Sequence, residues 1–538
     1  MFLSRNEFER QVDPDLVIID EAFLSSAVSN MPSIPVGDVT QHIRLEGFPS
    51  LGFDLVECLT KHQGNLSCLR EKDIGAFEFN AVSVEGLNPA TSFTADTTQS
   101  RNVRSAKQYK ALTRLLEIAA REVEDHGKDQ FGQLAYNQRK NEIVICEHKV
   151  IRVPRSAPVL YLDATADSVI TEAHLPALEY HKIDVHQLAV VSQVYDRTGS
   201  NSFWNSKIED EQQNLSAPIY NSQHNDLSSL ITILNEWVKA GESPLLVAHK
   251  DLCEFLRGHP KLHEGVAVAH FSSLRGSNAY EDRSVIFITG RHQPPLDDIE
   301  RQARSVFGNS GHPLSYDDLE SLPLDQVDYW LSKRSPHSAS AVMVPSFSDP
   351  RIEAVQKQIR EAETVQAIAR LRLVWAKYQK RVFLLSNLPV EMPVDHLIEF
   401  NDLMPDKLEM ELINKGDLPL TALGLEKMRP DLGLSKEATN KLVQRSKASN
   451  PKRLLTQLPD LVGTATQIAT FKAGAKRKTI HQHLYLPKDY SGSPTVSLYT
   501  PWTEAEVLSD LTAGWGDGAI TGLKLEYLYG PEPEVSGE

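Results

Sequence analysis

The chain has 538 residues, 41% of them hydrophobic and 24% charged, with a net charge of −16. That length suffices for about three domains, and the composition is ordinary for a globular protein with ample core material. The absence of any apolar run of about 18 residues or of a signal-peptide core argues against a membrane span and predicts a cytoplasmic protein. The four cysteines, Cys58, Cys68, Cys146 and Cys253, form no C-x-x-C pair, which argues against a disulfide framework or a zinc site. The acidic balance neither supports nor excludes a nucleic-acid partner, because local clusters of Lys and Arg decide that question.

Near the start, Val17-Ile18-Ile19 runs into the acid pair Asp20-Glu21, followed by Ala22-Phe23. Three β-branched residues predict a short buried strand of the kind found in parallel sheets, covered on both faces. The acids then sit at its carboxyl end, where ligands of open α/β sheets collect. An aspartate there can hold Mg2+ through oxygen while the ion also touches phosphates, and Glu21 can orient or deprotonate a water. The plain alternative is a buried strand ending in a solvated acid pair.

Residues 25–105 are polar and read as loops and short elements. Residues 106–124 predict a helix, with Leu112, Leu115, Leu116, Ala119 and Val123 on one face. Ile143–Cys146 and Val150–Val153 predict two strands flanking a tight turn. Pro158–Asp167 predicts another short apolar strand that ends in Asp163-Ala164-Thr165-Ala166. Such small and hydroxyl residues let a loop pass close to the acids, with Asp163 or Thr165 relaying the state of a ligand. The alternative is that Asp163 or Thr165 caps a helix.

Further on, Val185–Val194 predicts a strand, Leu227–Val238 a helix, and Pro244–Lys250 a strand running into a loop. His270–Tyr280 contains the turn Arg275-Gly276-Ser277-Asn278. Gly276 permits close backbone approach, while Arg275 and Asn278 offer donors to phosphate; turns favour these residue types in any case. A strand, Ser284–Thr289, and Gly290-Arg291-His292-Gln293-Pro294-Pro295 follow. Residues 300–350, rich in Ser, Pro and acids, read as an insertion, with Arg301 and Arg304 on a solvated helix face. Arg360–Arg372 places Gln366 and Arg370 one helical turn apart on one face. An arginine reaching across a cleft to a γ-phosphate stabilises charge in phosphoryl transfer, and Arg370 is the candidate; an amphipathic helix with a basic face is the alternative. Arg381–Ser386 predicts a closing buried strand.

From residue 401 onward, Leu418–Lys447 predicts two short helices broken at Arg429-Pro430-Asp431, of a helix-turn-helix or winged kind. A β-rich tail begins near Thr470. The basic stretch Thr470–Lys478 reads as a phosphate-tracking patch or a solvated hairpin. His481 and His483 share a strand face without further ligand spacing, and the last residues, from Gly530, are expected to be disordered.

Five of these segments resemble motifs of superfamily 2 helicases, in the family's order. D-E-A-F resembles motif II (Walker B) and D-A-T-A motif III. Pro244–Lys250 resembles motif IV, the R-G-S-N region motif V, and Q-A-I-A-R-L-R motif VI. Ala369 stands where glycine is usual, and Arg372 follows Arg370 by two positions instead of three. The resemblance covers roughly residues 13 to 400 and is similar to helicase-like proteins of phages, plasmids and integrated elements. It implies an α/β protein with two RecA-like parallel-sheet domains, the first incomplete (1–180), the second at 181–400, and a smaller α+β region at 401–538. The implied activity is that of an ATP-dependent helicase or translocase. Asp20 would sit on Mg2+ and Glu21 on the attacking water, with Gln366 and Arg370 completing the catalytic set. Asp163, Thr165, Arg275, Gly276, Asn278 and Arg372 would bind or sense ATP. The partner would be nucleic acid, DNA favoured over RNA.

The chain also departs from the family in that it contains no phosphate loop G-x-x-x-x-G-K-[ST]. Only Met1 to Leu16 precede the acid strand, and the nearest displaced candidate, Ala473–Thr479, lacks the glycine spacing that lets backbone N–H groups cradle phosphates. The expected activity is therefore impaired or incomplete, unless a further segment or chain supplies the Walker A half. The alternative is a non-catalytic nucleic-acid-binding or assembly subunit with a helicase-like fold.

Overall fold

The computed structural model of the chain describes residues 16–20, 32–84, 87, 99–147, 157–204, 225–274, 278–331 and 341–404, apart from a few single positions, and short stretches beyond 406. The chain forms two units. The first comprises residues 1–182, 293–325 and 344–360; the second comprises 183–292, 326–343 and 361–538. The expected insertion at 300–350 is thus divided, and 300–325 and 344–350 belong to the first unit.

In the first unit, β1 (Val17–Asp20) is followed by more regular structure than the polar composition suggested. Helices cover Val36–His42, Leu51–Lys61, Ser67–Arg70 and Ala76–Ala81. Sparse apolar residues at helical spacing account for this. Leu51, Leu55, Cys58 and Leu59 form one face, and they share a core with Leu112, Leu115, Ala119 and Val123 of the long helix Gln99–Glu124. Burying each leucine contributes roughly 1.5–3 kcal/mol, so three or four per helix outweigh a polar exterior. β2 (Ser33–Pro35), β3 (Leu134–Asn137) and β4 (Glu142–Ile145) make a small antiparallel sheet with β4 in the centre. The hairpin partner of β4 is therefore β3, with Asn141 left-handed in the turn; the expected partner, residues 150–153, lies outside the described residues. β5 (Val159–Leu162) pairs in parallel with β1.

The helix Leu296–Phe307 also belongs to this unit, packing Ile299, Ala303 and Phe307 among Ile170, Phe347 and Ile352. Arg301 and Arg304 were expected on a solvated face; instead Arg301 is buried and Arg304 is partly buried. Arg304 donates from Nη1 to the carbonyl of Phe131 at 3.0 Å and from Nη2 to Glu300 at 3.2 Å, and its guanidinium lies 3.9 Å from the Tyr316 ring centroid. Arg301 is paired with Asp297 and Asp298. A buried guanidinium is tolerated when its donors are satisfied in this way.

The second unit is built on six parallel strands: β6 (Ala189–Val194), β7 (Pro244–Ala248), β8 (Ala267–His270), β9 (Val285–Thr289), β10 (Lys380–Leu385) and β11 (His396–Ile398). Their order is β8-β7-β9-β10-β6-β11. Every residue of β7 and β9 is buried, as continuous apolar runs in a sheet covered on both faces should be. On one face, Trp237 of the helix Asn225–Lys239 packs edge-on against Phe287 and Phe383, which stack on each other across β9 and β10 at 4.6 Å. The other face buries Val191, Ile286 and Ile288 against Ala367, Ile368 and Leu371.

Toward the C-terminus, β12 (Asp417–Pro419), β13 (Lys478–Pro487), β14 (Thr495–Tyr499), β15 (Gly518–Ile520) and β16 (Leu525–Tyr529) form an antiparallel five-stranded sheet. Leu418 and Pro419, expected at the start of a helix pair, thus lie in a strand, while Lys436–Arg445 is helical. His481 and His483 lie two apart on β13. The Arg429-Pro430-Asp431 break, the basic residues 470–477 and the terminal run fall outside the described residues. No helix among the described residues is long and apolar enough to cross a membrane.

Candidate functional site

The acid strand and the D-A-T-A strand meet. β1 and β5 run in parallel with Val17 opposite Val159 and Asp20 opposite Leu162, and Val17 N donates to Pro158 O at 2.9 Å. Asp20 is therefore level with the residue just before Asp163, both at the carboxyl end of the pair. The side chain of Asp20 and the whole of Glu21 lie outside the described residues. β1 is less buried than its β-branched sequence predicts: Ile18 is 58% exposed, and Leu160 and Leu162 of β5 are also exposed. Among the described residues this sheet has two strands, little area to support covering layers on both faces.

The turn after β5 is held by its own side chains. Asp163 Oδ1 accepts from the Thr165 amide at 2.8 Å and from the Thr165 hydroxyl at 2.9 Å, while Oδ2 accepts from the Tyr161 hydroxyl at 2.7 Å. Burial, and then the Asp163 carboxylate beside it, push the Tyr161 phenol up. The helix Ser168–His174 is capped by neither Asp163 nor Thr165. Its N-cap is Asp167, whose carboxylate accepts from the amides of Val169 and Ile170. Asp163 and Thr165 therefore shape the loop at the end of β5, and the capping role passes to the next acid.

The helix Pro350–Ala369 is divided at residue 360, and its second-unit part carries Gln366, half-buried, and ends one residue before Arg370, which is only 8% exposed. The helix end tightens into a final turn, with Arg370 N donating to Ala367 O and Arg372 N to Ala369 O. Arg372 then adopts φ 52° and ψ 50°, in the left-handed region, which costs a residue with a Cβ about 1–2 kcal/mol. From there its Nη2 donates to Asn278 Oδ1 at 2.6 Å. Two candidates 94 positions apart in the chain are thus brought together, and Arg372 pairs with an amide. Arg275, Gly276 and Ser277 lie outside the described residues.

A second cluster, which the sequence reading missed, lies at the carboxyl edge of the six-stranded sheet. The chain leaves β7 toward β8 and leaves β9 toward β10, in opposite directions, so the strand order reverses between their carboxyl ends, the place where open α/β sheets bind ligands. His249 follows β7, and Gly290 follows β9 with φ +75°. A Cβ on Gly290 would lie 2.5 Å from His249 Nε2 and 2.9 Å from Gly199 O. Gly199, itself at φ +59°, packs so closely that a Cβ would come within 2.3 Å of Leu385 O. Trp204 Nε1 donates to Thr289 Oγ1 at 2.7 Å. Burial, and then His292, hold His249 below its ordinary pKa of 6.5, while Asp251 acts in the opposite direction. The available signal was a glycine or histidine directly after each apolar strand.

Among the described residues, no group of three or more His, Cys, Asp or Glu side chains is arranged to hold a metal ion. Compared with protein-family models, with curated proteins and with solved structures, the chain matches none.

Proposed function

We propose that this chain is a helicase-type, nucleic-acid-dependent ATPase whose two units are RecA-like, the first of them incomplete. The observation that carries this reading is the parallel register of β1 and β5, which sets Asp20 level with the strand end that leads into Asp163 and Thr165. Acids on one strand and a hydroxyl-bearing turn on its neighbour are the arrangement needed to sense a polyphosphate at a sheet edge. The all-parallel order of the second sheet, β8-β7-β9-β10-β6-β11, and the Gln366–Arg370 spacing at the end of a helix support it.

On this reading Asp20 holds Mg2+ and Glu21 orients the attacking water. Bound Mg2+ would supply charge neutralisation at the phosphates. Arg370 donates to the charge that develops on the transferred phosphoryl group, and Gln366 orients the groups around it. Asp163 and Thr165 in the first unit would sense the nucleotide, Arg275, Gly276, Asn278 and Arg372 in the second would bind phosphate, and DNA is favoured over RNA. The absence of a phosphate loop in this sequence fits a further segment or chain that supplies the Walker A half. It equally favours the second reading, a non-catalytic nucleic-acid-binding or assembly subunit, which the buried position of Arg370 also suits.

Steady-state ATP turnover with and without single-stranded DNA, for the chain and for Glu21→Gln and Arg370→Ala, separates the two. DNA-stimulated turnover lost in both variants supports the motor. Absence of turnover with retained, salt-sensitive DNA binding supports the non-catalytic subunit.

A further inference from the structure

We infer that the loop 370–380 of the second unit is a single-strand platform, on which Trp375 stacks an unpaired base while Arg372 and Lys377 hold the flanking phosphates. The inference rests on the nucleic-acid reading above and names the residues that would grip the strand.

Trp375 is 78% exposed, yet it is not a loose tip. It ends the short 3-10 helix Leu373–Trp375, whose Leu373 is buried. Trp375 N donates to Arg372 O at 3.0 Å, and Leu188 N, just ahead of β6, donates to Leu373 O at 3.4 Å. Behind it, the buried ammonium of Lys380 donates to Leu371 O at 2.6 Å and to Glu281 O at 2.5 Å, which ties the two ends of the loop together. An exposed indole on an anchored backbone is a stacking surface whose loop has little conformational freedom left to lose when a base lies on it.

The flanking charges have the matching sign. Arg372 and Lys377 are both exposed, on a chain whose net charge is −16, so this loop is a local reversal of the prevailing sign. Of the acids nearby, Glu242 and Asp282 face Tyr378, and Asn278, not an acid, receives Arg372. That bond uses one of the five guanidinium N–H donors and fixes the plane of the group. The left-handed backbone at Arg372 is the kind of local strain that clusters at ligand-binding loops. Aromatic stacking beside phosphate-binding cations is the chemistry of sequence-tolerant single-strand binding.

The test is anisotropy of a labelled oligothymidylate, about 20 nucleotides long, titrated with the full chain at several salt concentrations. Trp375→Ala should weaken binding about tenfold, and Trp375→Phe should restore most of the loss. Arg372→Gly and Lys377→Ala should each lower the salt slope by about 0.7. An unchanged melting temperature of Trp375→Ala shows that the loss is not unfolding. Wild-type binding with every variant unaltered overturns the platform and leaves the helicase-type reading standing; no binding by the wild type overturns both. Trp375→Ala that keeps strand affinity but loses ATP binding also overturns it, since a nucleotide would then be the ligand.

Discussion

Arg372 Nη2 donates a 2.6 Å hydrogen bond to Asn278 Oδ1 from a left-handed backbone. The bond joins the loop before β9 to the loop before β10, at the amino edge of the parallel sheet. Glycine adopts such a backbone without penalty, whereas a β-branched residue there is an outlier. Arg372→Gly should therefore stay within about 1 kcal/mol of wild type, the relief of strain offsetting the lost bond. Arg372→Val should cost about 2 kcal/mol or more. Urea unfolding of the three proteins gives the order; a valine variant as stable as the glycine variant would show that the backbone there is not strained.

Gly199 sits where the carboxyl edge is most crowded. A Cβ would meet Leu385 O at 2.3 Å and Gly290 N at 2.9 Å, both backbone atoms, at φ +59°. Gly199→Ala should cost about 2–4 kcal/mol, the sum of overpacking and left-handed strain. Gly37 is the control: it lies in the helix Val36–His42 with nothing within 4 Å of its would-be Cβ, so Gly37→Ala should stabilise by about 0.5 kcal/mol. Thermal unfolding of both variants checks the contrast.

His249 should make the second unit acid-sensitive. Its pKa is held below 6.5 by burial and by His292, so on acidification the unfolded chain takes up a proton before the folded one can. The stability this contributes is present above about pH 6.5 and is lost as pH falls from there toward the lowered folded value. His249→Gln should flatten the fall in melting temperature between about pH 7.5 and pH 5.5. An equal fall in both proteins would move the titration elsewhere.

In the first unit, Glu122 and Lys128 are a buried pair. Lys128 Nζ lies 3.3 Å from Glu122 Oε1 and donates to Gly308 O at 3.0 Å, while Glu122 Oε2 accepts from the amides of Gly132 and Gln133. Burial raises the Glu122 pKa, and Lys128 is the first of the groups that oppose it. Lys128→Met should cost roughly 3–5 kcal/mol at neutral pH, because it leaves a buried carboxylate without its cation. A carboxylate whose folded pKa is raised loses stability as pH rises through its titration. The penalty should thus shrink toward about pH 5, and chemical denaturation at the two pH values reads the difference.

Several features were legible from the residues alone because their cause is local. The apolar runs of β7, β9 and β10 needed no partner to be read as buried strands. The spacing Leu227, Leu230, Ile231, Leu234 was enough for the helix that packs beneath them, as was Leu112 to Val123 for the long helix of the first unit. By itself, then, the sequence determined the α/β character and most of the parallel strands.

Only the tertiary structure decided which distant elements meet. Whether Asp20 would lie beside Asp163 depended on the β1–β5 register, over a separation that no periodicity encodes. Arg304 looked like a solvated helix residue until Phe131, Glu300 and Tyr316 closed around it, and Leu51–Lys61 became a core helix only once the Gln99–Glu124 helix gave its few leucines somewhere to bury. Nothing in the spacing of Arg372 and Asn278, 94 positions apart, indicated that the chain would fold back and join them. In each case the deciding term is desolvation or a hydrogen bond between groups far apart in sequence, and it acts only when the fold has brought them into contact.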